Sequence, residues 1–152
     1  MAAMEYRMLT DEEGFTTYAL IFAAGDEAMT ELRRFAKETG ISGASFSGVG
    51  GASRSILGWF DFTTSEFEPT LIDEQVEVVS VLGDVATTED GAAQVHAHVV
   101  VAKRGAHAYG GHLIEMNVNP TLEIMLTETP THLRKRSVPG QPFSTIRLAE
   151  SG

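Results

Sequence analysis

Only Glu27 to Glu38 carries the 3.6-residue apolar period of a helix, whereas six or more other stretches read as strands, and this imbalance constrains the fold more than any other feature. The expected strands are Thr16–Ala24, Ser55–Phe62, Glu74–Leu82, Gln94–Val101, Leu113–Val118 and Thr121–Thr127, with a further one at Ser144–Leu148. One helix is too few for a doubly wound α/β domain. The reading is therefore α+β: a largely antiparallel β-sheet with one main α-helix on a face. Asp26 is placed to cap that helix, and Gly40 to stop it. Ala28, Leu32, Phe35 and Ala36 form its apolar face. Asp90-Gly91, Arg104-Gly105, Gly110-Gly111 and Asn119-Pro120 supply turn signals between strands. No repeat or linker divides the chain, so residues 1–152 are expected to form a single domain, with a core at about 15–128 and a C-terminal extension at 129–152.

The absence of cysteine removes disulfides, thiolate catalysis and Cys-ligated metal sites, which leaves imidazole and carboxylate as the strong metal ligands. No apolar run is long enough to span a bilayer, and Met1 to Tyr6 has no signal-peptide character; no membrane contact and a cytoplasmic location are expected. The formal charge of −10, with scattered basic residues, argues against direct nucleic-acid binding. The densest basic group, Arg134-Lys135-Arg136, reads as a solvated loop.

The histidines carry the chemical signal. His96 and His98 are two apart in a predicted strand, so both leave one face, and their Cα atoms are separated by roughly 7 Å, a gap that two rings can bridge to one ion. His112 follows Gly110-Gly111 and opens the next strand, where an antiparallel return can bring it beside the pair. The expected site is a divalent metal on His96, His98 and His112. Zn2+ is preferred, and another divalent transition metal suits the same donors. His107 is an alternative third ligand, and His132 is expected to be solvated.

Glu77 and Glu123 interrupt apolar strands, where alternation can direct them to solvent or burial would demand a partner. If the metal site is catalytic, Glu77 is the expected proton carrier and Arg54 the residue that orients an anionic substrate. Ser47-Gly48-Val49-Gly50-Gly51 lacks the pattern of a nucleotide loop and reads as a tight structural crossing. Trp59, Phe60 and Phe62 read as packing residues.

Taken in order, Ala24-Gly25-Asp26, Phe35-Ala36, Gly40-Ile41, Ser47-Gly48-Val49-Gly50, Leu57-Gly58-Trp59-Phe60-Asp61, Glu77 through Gly83, His96-Ala97-His98, Gly110-Gly111-His112-Leu113 and Thr121-Leu122-Glu123 resemble the plant-and-prokaryote-conserved (PPC, DUF296) domain over roughly Phe15 to Glu128. The resemblance implies an α+β fold, a homotrimer, and a metal-binding trio at His96, His98 and His112. Plant relatives add an AT-hook, and no Arg-Gly-Arg hook occurs in this chain. The His-x-His and Gly-Gly-His arrangement is also similar to the zinc site of acetolactate decarboxylases, whose two-part architecture needs a longer chain. The expected function is a metal-binding homo-oligomeric binding or assembly module that has room for a small-molecule ligand. Two alternatives stand beside it: a zinc-dependent enzyme acting on a small carbonyl or carboxylate metabolite, and a DNA-associated regulatory protein.

Overall fold

The computed structural model describes residues 3–129 and 132–152. Its elements in chain order are β1 (Glu5–Glu12), β2 (Phe15–Ala23), α1 (Ala28–Thr39), β3 (Gly43–Asp61), β4 (Glu66–Ile72), β5 (Val76–Thr87), β6 (Ala93–Ala102), β7 (Ala108–Glu128), β8 (Lys135–Ser137) and β9 (Ser144–Ile146), followed by a short 3-10 turn. The fold is α+β, dominated by antiparallel sheet with one main helix.

Seven strands follow the order β1-β2-β7-β6-β5-β3-β4, and β7 also pairs with β3. That extra pairing closes β3, β5, β6 and β7 into a ring, so these strands have neighbours on both sides along much of their length. Alternation fills the interior: Val95, Ala97, Val99 and Val101 of β6 are buried, whereas Gln94, His98 and Val100 on its other face are exposed. Leu122, Ile124 and Leu126 of β7 join the same core.

Two long strands replace four of the expected elements. The crossing at Ser47 to Gly51 and the strand at Ser55 are one element, β3. Likewise β7 runs unbroken through Gly110-Gly111 and Asn119-Pro120, which were expected to be turns. Pro120 is tolerated because the register to β3 shifts between Val118 and Leu122, and the pairing with β2 ends at Thr121, so its missing N–H removes no ladder bond.

The crossing is tight in the literal sense. A Cβ added at Gly48 would lie 2.4 Å from the Glu123 carbonyl oxygen, and one at Gly50 would lie 2.3 Å from that of Thr121. Only glycine lets β3 and β7 approach this closely.

The helix buries Ala28, Met29, Leu32, Phe35 and Ala36. Its cap is Glu27 rather than Asp26: the Glu27 carboxylate accepts from the amides of Met29 and Thr30 and from the Thr30 hydroxyl. It also accepts from the Met116 amide of β7, tying the helix start to the sheet. Asp26 instead accepts from the Ala23 amide and closes the preceding turn. Burial acts to raise the Glu27 carboxyl, but the bonds from Thr30, Met116 and Met29 outweigh it and hold the group below the usual range. Glu27→Ala is expected to destabilise the protein by about 2 kcal/mol near neutral pH. A lowered carboxyl contributes stability above its unfolded pKa and loses it as pH falls through the folded value. The difference between variant and parent in urea unfolding should therefore shrink in acid, and a difference that is constant with pH would contradict this role.

Candidate metal centre

The site follows from strand register. On β6, His96 and His98 share the outer face; His98 lies directly opposite His112 of β7, and His96 lies opposite Asp84 of β5. Gly58 of β3 is the partner of His112 on the other side. Gly111 permits this arrangement, because a Cβ there would sit 2.8 Å from the Gly58 carbonyl oxygen.

The three rings converge. One ligand nitrogen from each of His96, His98 and His112 lies within 4.8 Å of the others. Ring centroids are 5.0 Å apart for His96–His98, 5.3 Å for His96–His112 and 5.6 Å for His98–His112. Burial lowers the His112 pKa and the two neighbouring imidazoles lower it further, to about 4. Desolvation and then His96 act on His98 in the same direction. Both rings are accordingly neutral near pH 7, the form that offers a lone pair to a metal.

Asp84 completes the cluster. Its carboxylate accepts from His96 Nδ1 at 3.3 Å, leaving the other ring nitrogen of His96 as the free donor atom. The second carboxylate oxygen of Asp84 faces Lys135 Nζ at 2.7 Å. Burial acts to raise the Asp84 carboxyl, yet His96 and Lys135 outweigh it and keep the group below the usual range. Lys135 is only 4% exposed. The Arg134-Lys135-Arg136 segment is thus no solvated loop: Lys135 and Arg136 lie on β8, and Arg136 pairs with Glu150 at 2.5 Å. Asp84→Asn is expected to weaken metal binding about 10- to 100-fold by replacing the charged acceptor that orients His96 with a neutral amide that can also turn its NH2 toward the ring. Calorimetric titration of parent and variant tests this, and equal affinities would show that Asp84 does not position the ring.

The rings open onto a cavity of about 820 Å3. Trp59, Phe60, Phe62, Phe67 and Phe143 form much of its wall. Phe67 stacks on His112, with centroids 4.7 Å apart. Trp59 and Phe62 were expected to be packing residues, but they are 63% and 78% exposed.

The other expected residues lie elsewhere. Glu77 faces solvent on β5, seven residues or about 23 Å along the strand from Asp84. Arg54 sits opposite Asn117 and forms an ion pair with Glu115. Neither lines the cavity. Glu123 is also outward-facing. His107 lies in the β6–β7 loop outside the triad, and His132 contacts Ser42 rather than only solvent. Asp84 and Lys135 were missed. The one sequence signal for Asp84 was a carboxylate after Gly83 at the end of an apolar strand.

The family model for the Plants and Prokaryotes Conserved (PCC) domain matches residues 9–130. The chain belongs to this family. No curated protein matches it. Among solved structures, the PCC chain resembles a proposed DNA-binding protein from Ralstonia eutropha JMP134, with 30% identity, TM-score 0.79, and 86% of this chain and 90% of that one covered. A proposed DNA-binding protein from Bacteroides thetaiotaomicron VPI-5482 matches with TM-score 0.87 at 19% identity, covering 98% of this chain and all of the other. A metal-containing protein from Archaeoglobus fulgidus matches with TM-score 0.78 at 21% identity, covering 97% and 99% of the two chains.

The 30% identical Ralstonia eutropha relative overturns the expectation, drawn from net acidity, that direct nucleic-acid binding is disfavoured for this chain. Net charge averages over the whole surface, whereas binding responds to the local field. Arg33, Lys37 and Arg134 line a second cavity, of about 740 Å3, that no carboxylate among the described residues borders. As for membranes, no helix among the described residues is long and apolar enough to span one.

Proposed function

We propose that this PCC-domain protein holds one divalent transition-metal ion on His96, His98 and His112 and acts on a small carbonyl or carboxylate metabolite in the adjoining cavity. The observation that carries this reading is the convergence of three imidazoles at the mouth of a large cavity rather than in an enclosed core. The donor set fits: nitrogen ligands suit zinc, and also cobalt, nickel or iron. When bound, such an ion supplies Lewis-acid polarisation of a carbonyl or carboxylate oxygen. His96 is oriented by Asp84, and Lys135 holds Asp84 in place. The anion-orienting role expected of Arg54 passes to Arg33, which lines the cavity and has no ion-pair partner among the described residues. Metal analysis of purified protein, with cobalt absorption as a second readout, should give one ion per chain. Absence of stoichiometric metal, together with unchanged affinity in H96A/H98A, removes this reading.

A second reading, DNA association, is favoured by the 30% identical Ralstonia eutropha relative and by the Arg33, Lys37 and Arg134 cluster. It predicts duplex binding that weakens with salt, and a salt slope that falls by about 1 for each of Lys37→Ala and Arg134→Ala. Fluorescence anisotropy across a salt series tests it, and binding that is absent at low salt ends it. In both readings residues 1–152 act as one domain that assembles as a homotrimer. Exposed Leu82 and Val100 beside His98 offer apolar surface for that contact.

A further inference from the structure

The cavity wall has a composition unlike the rest of the molecule. The chain carries 21 acidic side chains against 11 basic ones, yet among the described residues no Asp or Glu lines the cavity, while Arg33 and Lys135 do. Lys135 is neutralised by Asp84, which leaves the Arg33 charge uncompensated. Excluding every carboxylate from one concavity of an acidic protein leaves it receptive to an anion.

Much of the wall is aromatic, and its phenylalanine rings are in contact with one another. Phe67 stacks on His112; Phe60 meets Phe67 at 5.1 Å, Phe62 at 4.9 Å and Phe143 at 5.2 Å, each edge to face. This chain of rings runs from the metal-binding nitrogens to the loop between β8 and β9, in the segment beyond the family match at residues 9–130. Trp59 and Phe62 leave large apolar surfaces open at the rim. A small polar metabolite would leave that surface wet, whereas a flat apolar ligand would cover it. The volume suits a ligand of more than a few atoms.

We propose that the cavity selects an aromatic carboxylate, with its carboxylate at the triad and its ring laid against the wall that Phe60, Phe67 and Phe143 form. The proposal rests on the metal reading above and narrows its substrate class. Phe143 is a specificity-determining residue contributed by the C-terminal extension, and Arg33 draws the anion in.

The test uses full-length protein titrated first with zinc alone and then, zinc-loaded, with benzoate, cyclohexanecarboxylate and acetate. Trp59 is the only tryptophan of the chain and lines the cavity, so its fluorescence reports binding directly, with calorimetry as a check. Benzoate should bind at least about tenfold more tightly than acetate, with cyclohexanecarboxylate between them. Phe143→Ala should remove most of the preference for benzoate while leaving zinc affinity unchanged. Arg33→Gln, at an exposed helix position, should weaken both benzoate and acetate about two- to fivefold without altering their ratio. Stoichiometric zinc with no preference for benzoate over acetate overturns the proposal and leaves the metal reading standing. Failure to bind zinc overturns the metal reading and this proposal with it.

Discussion

Replacing His112 by alanine is expected to lower zinc affinity about a thousandfold, because one of three ligands carries roughly 4 kcal/mol of a binding free energy of order 10 kcal/mol or more. The fold should survive, since His112 is only partly buried and its backbone pairings to Gly58 and His98 do not involve the ring. Competition titration against a chromophoric chelator measures the loss, and circular dichroism verifies the fold. His107→Ala and His132→Ala are the controls, for both residues lie outside the triad and should leave affinity unchanged. If H112A binds zinc as tightly as the parent, the convergence of the three rings has no bearing on metal. The parent's pH profile gives a second check. With His112 neutral down to about 4 and His98 also held below its ordinary value, affinity should hold across neutral pH and fall as acid protonates the rings.

The second large effect is on stability. Gly50→Ala is expected to destabilise the protein by about 3 kcal/mol or more. The added methyl would lie 2.3 Å from the Thr121 carbonyl oxygen and 2.7 Å from the Leu122 Cα, both backbone atoms. The strand cannot give way easily, because that part of β7 is held by β2 on one side and β3 on the other. Gly91→Ala is the natural comparison: Gly91 has φ +84° but open space around it, so only the left-handed conformation is strained, at about 1 to 2 kcal/mol. Urea unfolding of the two variants separates the cases. Equal midpoints for G50A and the parent would mean that β3 and β7 do not meet as closely as described.

The fold class was legible because its signals are local. The helix announced itself through Ala28, Leu32, Phe35 and Ala36, all buried as the period required. Strands β5 and β6 were visible in the Val-rich alternation around Glu77 and His96. β1 and β4 escaped notice. Every residue of β1 is exposed, and β4 buries only Ile72 while carrying Pro69 and two glutamates, so neither shows a period-two apolar face. These strands exist because β2 and β3 offer edges to pair with, and a neighbour's edge leaves no mark on the strand that fills it. The same reason explains the false turns at Gly110-Gly111 and Asn119-Pro120. Glycine and proline break an isolated strand, but here they fall at a close approach and at a register shift.

At the candidate site the division is sharper. Period-two geometry put His96 and His98 on one face before any contact was known, and the following hairpin made His112 their natural neighbour. Asp84, Lys135 and the aromatic wall were beyond reach of that argument. Lys135 sits in a tripeptide that looks wholly solvated, and only packing of the C-terminal segment on β5 buries it against Asp84. Backbone dihedral preference and side-chain alternation act between near neighbours and can be read residue by residue. The lysine that holds Asp84 and the cavity beside His96 depend on segments some 50 residues apart closing over one another, which is settled by global burial rather than by any local preference.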